Sequence, residues 1–313
     1  MDTNIIQLSK AQTDFLMEQS NNIWYDSQQN PKLFCDQISE LKIIINANKI
    51  NFNALIVKIS ISPTLENNIT LDTFKKIQAL LNYSLFPECE MVSFEGENSG
   101  SLFQTLTPKK EMAHLQISAG SSVELEIHTE QAFSELRPDI LSLACFRGLP
   151  DAETYFLSID QLLNHLSEEE IQIMFYPLWT IQVDLSFILS GKEGIQQLRG
   201  PIPMLVIKET KKIEWVFDQD LMQGITEEAQ TLLQKIIQIY RVERKKVILG
   251  FGDFLFLNNT SLVHGRSPFQ PTYNDKTDRV LTRSFMMSSL RFNKYVDEKK
   301  IVLNSRMVLA EYS

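Results

Sequence analysis

A mainly β fold, an antiparallel sandwich or barrel with helices at its periphery, is what this sequence predicts, and three observations predict it. Beyond about residue 91 most apolar segments are short and β-branched and alternate with polar positions, the pattern of strands with one buried face. No helices interleave them at the regular spacing a parallel sheet of βαβ units requires. Helical periodicity gathers instead before residue 90, with one further helix near residue 230.

Taken in order, apolar positions recur at helical spacing from Ala11 to Tyr25 and from Leu33 to Ile45. Leu71 to Leu85 reads as a third helix, opened by Thr70 or Asp72 as its cap. Between them Phe52 to Ile59 alternates as a strand. Strands are then expected at Met91 to Phe94, Val123 to Glu130, Ile140 to Arg147, Thr154 to Ile159, Gln172 to Phe175, Met204 to Lys208, Lys212 to Phe217, Phe254 to Asn258 and Leu281 to Arg291. Thr226 to Tyr240 interrupts them with a strongly amphipathic helix, and the basic run Arg241 to Lys246 reads as its solvated end. No linker, repeat or break in composition divides the 313 residues. The expectation is a single domain over 1–313, mostly helical over 1–90 and with a β core over 91–313.

Composition narrows the function. At 43% hydrophobic and 22% charged residues the chain can bury a large core. A net charge of -9 disfavours nucleic acid and anionic membrane as partners, since both need a basic surface. Cys35, Cys89 and Cys145 are odd in number and scattered, which argues against a disulfide framework and a zinc site and for a reduced, cytoplasmic setting. No cationic start with a following apolar run opens the chain, and no stretch of about 18 apolar residues occurs, so neither export nor a membrane span is expected.

Four histidines occur in the whole chain, so a two-histidine site can be built in few ways. His128-Thr129-Glu130 has the spacing that places two side chains on one face of a strand. With His264 downstream, two imidazoles and a carboxylate could fill half the octahedron of a ferrous ion and leave the rest open. Taken alone an H-x-E is weak: it equally describes a strand face with ordinary polar residues, and His264 could be a surface-loop imidazole. Glu124 and Glu126 share the parity of His128 and Glu130, which requires either a barrel rim or a bulge between them.

Arg279, Leu281 and Arg283 alternate on one strand face, so two guanidiniums would enter the same interior. Burying them is costly unless each meets a carboxylate, which a dicarboxylic acid and an amino acid would supply. The bland alternative is two surface arginines paired with Asp275 or Asp278. Likewise Asp218 and Asp220, beside Gly224 and a helix start, could be solvated capping residues, and Glu97 an exposed turn.

The segments LEIHTEQAFSELRPDILSLACFR (125–147), FDQDLMQG (217–224) and NNTSLVHGRSPFQPTYNDKTDRVLTR (258–283) resemble the clavaminate synthase-like family of non-haem iron oxygenases dependent on 2-oxoglutarate, in particular its branch acting on free amino acids. The likeness covers roughly residues 91 to 291 in order. It implies a double-stranded β-helix (jelly roll, cupin-like) core, with His128, Glu130 and His264 as iron ligands and Arg279 gripping the distal carboxylate of 2-oxoglutarate. Arg283 would bind the substrate α-carboxylate and Glu130 would also meet the α-ammonium. Asp218 and Asp220 would sit on a lid around 210–225, and Glu97 would face the substrate from the opposite wall. The implied cofactors are Fe(II), with 2-oxoglutarate and O2 as co-substrates. A carboxylate at Glu130 implies hydroxylation, because halogenating relatives carry a small residue there. Carboxylates around the pocket favour a basic amino acid, lysine or arginine, with lysine attacked at C4 the first expectation. The competing readings are a non-catalytic cupin-like binding protein, which needs no arginines facing the site, and a zinc hydrolase, which needs no DRVLTR strand.

Overall fold

The structure is a computed structural model, and it describes residues 4–21, 52–61, 69–94, 100–184, 198–208, 212–289 and 302–303. The expected helix at Leu33 to Ile45 and the candidate Glu97 lie outside these residues. In chain order the strands are β1 (Asn4–Gln7), β2 (Ala54–Lys58), β3 (Cys89–Phe94), β4 (Gln104–Leu106), β5 (Leu125–His128), β6 (Ile140–Arg147), β7 (Glu153–Ser158), β8 (Trp179–Gln182), β9 (Leu198–Ile202), β10 (Leu205–Ile207), β11 (Ile213–Trp215), β12 (Met222–Gly224), β13 (Lys245–Ile248), β14 (Asp253–Asn258), β15 (Leu262–Arg266), β16 (Val280–Ser288) and β17 (Val302–Leu303). The α-helices are α1 (Lys10–Ser20), α2 (Leu71–Leu85), α3 (Ile159–Leu163), α4 (Glu168–Ile173) and α5 (Glu227–Glu243).

Eight strands make a jelly roll. One sheet has the order β1-β2-β14-β6-β16-β3-β17, with β4 also on β16; the facing sheet has the order β13-β7-β15-β5. The chain crosses between sheets at β4 to β5, β5 to β6, β6 to β7, β13 to β14, β14 to β15 and β15 to β16, which is the winding of a double-stranded β-helix. The ladders among these eight strands are antiparallel, as expected. β1 on β2 and β17 on β3 are parallel additions at the edges. Between β7 and β13 an insertion carries α3, α4, the β12-β8-β9 sheet, the β10-β11 pair and α5.

Caps explain the helix starts. Thr70 accepts the N–H of Thr73 at the head of α2, and Thr226 that of Ala229 at α5. Gln172 to Phe175 is the strand expectation the structure corrects: it falls on the end of α4 and the turns after it. The reason is local, for Ser167 and Glu170 form a capping box and three glutamates occupy the first turn, where the helix dipole favours them. The basic run after α5 is also more than a helix end. Arg244 stacks on Tyr155 at 3.7 Å and pairs with Glu124 at 2.5 Å, and Lys245 begins β13.

α2 packs on the outer face of β6 and β16. Phe74 there meets the rings of Phe146, Phe251 and Phe254, and its neighbour one turn on is polar. The buried amide of Gln78 donates to the carbonyl of Ser142 at 3.0 Å and to that of Thr282 at 3.3 Å, and accepts the Thr282 hydroxyl at 2.5 Å. Asn82 donates to the Ser284 hydroxyl at 3.0 Å. Phe74→Ala should cost about 3–5 kcal/mol of folding stability through lost burial and a cavity. Urea denaturation checks this, and a loss below about 1 kcal/mol would mean the helix is not anchored by that ring.

Candidate active site

β15 lies between β7 and β5, and its register sets His264 directly opposite His128. The next recorded partners are Arg266 and Leu125, so β5 gains one residue on its neighbour and carries a bulge. That bulge resolves the parity conflict of the acidic residues. Leu125, Glu126 and His128 all line the interior, while Glu124 turns outward to Arg244. Gly265 lets the two strands approach, since a Cβ there would lie 2.6 Å from the Leu125 carbonyl oxygen.

The strand that should hold both His128 and Glu130 ends at His128. Thr129 donates its N–H to Phe217 O at 2.8 Å, and the chain turns through Gln131, whose φ of 56° is left-handed. Glu130 is held in this turn by Asn259, 1% exposed, at the β14–β15 connection. The Glu130 N–H donates to Asn259 Oδ1 at 2.7 Å, and Asn259 Nδ2 donates to the carbonyls of Glu130 at 3.2 Å and Pro138 at 2.8 Å. Sequence reasoning missed Asn259, which looked like one polar turn residue among several.

His128, Glu130 and His264 converge, with their ligand atoms all within 4.8 Å of one another. His128 Nδ1–H donates to the Glu126 carbonyl at 2.8 Å, which leaves Nε2 as a lone pair 4.0 Å from Glu130 Oε1. His264 Nε2 is 3.4 Å from the same oxygen, and its buried Nδ1 has no hydrogen-bond partner among the described residues. Burial, then the neighbouring His264, holds His128 below its ordinary range and so neutral. Burial alone would raise Glu130, but Arg283 and the two imidazoles outweigh it and hold the carboxyl well below the usual range. Two imidazoles and an ionised carboxylate form a donor set that suits a divalent cation such as iron(II).

On one side of this set opens a cavity of about 380 Å³. Arg283, 7% exposed, lies in it, donating to Glu130 Oε1 at 3.0 Å and Oε2 at 3.2 Å, to Ser118 Oγ at 3.3 Å and through Nε to Gln104 at 3.0 Å. Glu126, Asp184, Asp218 and Asp220 also line the cavity. Asp218 Oδ1 accepts the N–H groups of Asp220 at 3.0 Å and Leu221 at 2.9 Å, so the turn-making role open from sequence coexists with a place in the cavity wall. Burial pushes its carboxyl up to about 7, and burial followed by Asp184 raises Asp220.

Adjoining it, a smaller compartment of about 40 Å³ shares His128, Glu130 and Arg283 with the cavity and is lined beyond them by His264, Thr154, Arg266 and Arg279. No carboxylate among the described residues pairs with Arg279, which is 7% exposed. Asp278 is engaged by the backbone N–H groups of Thr272 and Asn274, both at 2.7 Å, and Asp275 gives its carbonyl to Arg147, so surface pairing does not describe this arginine. Burial pushes Arg279 down to about 10. Arg266 and Thr154 were not singled out from sequence, although Arg266 stands two residues after His264 on one strand and so shares its face.

No model of a protein family matches the chain. The chain is 44% identical to the L-lysine 3-hydroxylase of Catenulispora acidiphila over 73% of its own length and 64% of that protein. It is 30% identical to the L-asparagine oxygenase of Streptomyces coelicolor over 64% of its length and 58% of the relative. It thus matches less than two thirds of either relative. Identity falls to 24% with an L-lysine 4-hydroxylase of Chitinophaga pinensis, over 66% of this chain and 53% of that one. Among solved structures, asparagine oxygenase in complex with Fe(II), 3-hydroxyasparagine and succinate superposes with a TM-score of 0.81 at 20% identity, covering 96% of this chain and 99% of that one. That likeness is one of fold.

Asn259→Ala should weaken binding of a divalent metal by about 10–100-fold, because it frees the backbone of one donor while leaving all three donors in the sequence. Calorimetric titration with Mn(II) checks this; wild-type affinity would mean that Glu130 finds its place without the amide.

Proposed function

The chain belongs to the clavaminate synthase-like family of non-haem iron oxygenases, and from that membership we propose that it is an iron(II)- and 2-oxoglutarate-dependent hydroxylase of free L-lysine, attacking C3. The observation that carries the reading is the opposite charge of the two compartments flanking the His128, Glu130 and His264 donors. Behind His264, Arg279, buried and paired with no described carboxylate, suits the distal end of a dicarboxylic acid. In front, Arg283 and Lys109 among five carboxylates, those of Glu126, Glu130, Asp184, Asp218 and Asp220, suit a molecule with a carboxylate at one end and cations elsewhere.

In this reading Arg279 receives the distal carboxylate of 2-oxoglutarate, and Arg283 the α-carboxylate of lysine. Glu130 meets the α-ammonium with lone pairs that a metal bond leaves free. Asp218 and Asp220, joined by Glu126 and Asp184 of the same wall, pair with the side-chain ammonium. Bound iron(II) supplies oxygen activation at the expense of 2-oxoglutarate, which leaves as succinate and carbon dioxide. The chain's contribution is to hold the substrate at a fixed depth and keep water from the reacting carbon. The 44% identity to a lysine 3-hydroxylase favours lysine as the substrate, and its excess over the 24% identity to a lysine 4-hydroxylase favours C3 over the C4 expected from sequence.

Anaerobically purified protein given iron(II), ascorbate, oxygen and 2-oxoglutarate should form succinate with L-lysine and yield a product one oxygen heavier, its position read by NMR. A product from arginine instead, or hydroxylation at C4, would correct the substrate or the carbon. No product from any standard amino acid would sink the reading. His128→Ala and His264→Ala should each abolish iron binding and turnover. Arg283→Ala should weaken lysine binding by about 2–5 kcal/mol, some thirty-fold or more in Kd, and affect 2-oxoglutarate less. Unchanged lysine affinity would remove that arginine from its role.

A further inference from the structure

We infer that Arg266 is a second anchor for the anionic end of the co-substrate, so that the compartment behind His264 is a two-guanidinium carboxylate site; the inference rests on the proposed function. Arg266 is 4% exposed, follows His264 by two residues on β15 and lines the compartment with Arg279 and Thr154. Its hydrogen bonds within the protein stop short of its capacity. Nε donates to Ser267 O at 3.2 Å and Nη1 to Ser118 O at 3.1 Å, but Nη2 is sealed from solvent and has no partner among the described residues. A buried cationic donor left unpaired is costly, and native interiors carry few of them.

The charge inventory points the same way. Arg266 and Arg279 share the ring of Phe269, at 4.9 and 5.8 Å, and no described carboxylate pairs with either. The buried carboxylates are engaged elsewhere: Glu130 by Arg283, Glu214 by Arg137, Asp253 by Lys58, Asp278 by its own turn, and Glu90 by the Ser289 hydroxyl. Two like charges side by side away from water need an anion between or beside them. A purely structural role, tying β15 to Ser118, accounts for Nε and Nη1 but leaves both Nη2 and the missing countercharge unexplained. The compartment is of the size of a carboxylate group, and Leu141, Leu143 and Leu281 give it an apolar wall for methylenes. A carboxylate offers about four lone-pair sites, so one bidentate arginine does not exhaust it, and Arg266 and the Thr154 hydroxyl can share the rest.

The test compares two oxo acids on the anaerobic, iron(II)-loaded protein by calorimetry. One is 2-oxoglutarate; the other is 2-oxovalerate, which has the same keto acid end and no distal carboxylate. Arg266→Gln should weaken 2-oxoglutarate by about 10–100-fold, the loss of one charged hydrogen bond, and leave 2-oxovalerate nearly unchanged. Arg266→Lys, which keeps the charge without the fork, should fall between and serves if the glutamine variant folds poorly. Equal weakening of both oxo acids would mean a disturbed metal site and would overturn the inference, as would no change in either. If wild-type protein bound no 2-oxoglutarate at all, the proposed function would fail first. Wild-type lysine hydroxylation with an unaltered oxo acid preference in both variants would overturn the role of Arg266 alone.

Discussion

The interior of this jelly roll depends on one buried carboxylate, that of Glu130. It is 5% exposed, Arg283 donates to both of its oxygens, and both imidazoles point at one of them. Breaking such a buried pair typically costs about 3–5 kcal/mol, because it strands the remaining charge. The geometry that balances charge here is therefore also the geometry that gathers three side chains able to hold a metal ion. One hairpin arranges it. The turn between β14 and β15 carries Asn259, which fixes the Glu130 backbone, and β15 carries His264 and the register partner of His128. All three donors take their positions from that segment.

β16 shows how the arginines are kept in place. Its odd positions, Leu281 and Arg283, face the site, and its even positions, Thr282 and Ser284, meet Gln78 and Asn82 of α2. A slip of one residue would turn the guanidinium of Arg283 outward and bring apolar side chains against the helix amides. The polar seam penalises that slip because each amide would lose its partner in a dry interface. A helix remote from the chemistry thus helps specify which side chains reach it.

Much of this was legible in the sequence, and the limits have physical causes. Alternation located the longer jelly-roll strands, and helical periodicity located α2, with its cap, and α5, because those signals are local. β15 was hidden because its neighbours Asn258, Asn259 and Thr260 read as the end of a strand rather than as a two-strand connection. The short strands β8, β9 and β12 and the edge strand β13 carry too few residues to show a period. At α4 a capping box outvoted a brief alternation. The parity of Glu124 and Glu126 was visible as a conflict, yet only the ladder could say that a bulge resolves it. Asn259 and Arg266 act through partners more than a hundred residues away in sequence, and no window on the chain sees those contacts.

The division of labour along the chain explains why the attacked carbon could not be read from motifs. The donors and the three arginines belong to jelly-roll strands or the turns that join them, whereas Asp184, Asp218 and Asp220 belong to the insertion between β7 and β13. Under the proposed function the first group fixes the iron and both carboxylates against rigid sheet. The second fixes the far end of the amino acid. Which carbon lies before the metal then depends on the span between Arg283 and the acidic wall, and a change of one methylene in that span separates C3 from C4. Motifs in the sheet are blind to that distance, since it is set where the insertion packs.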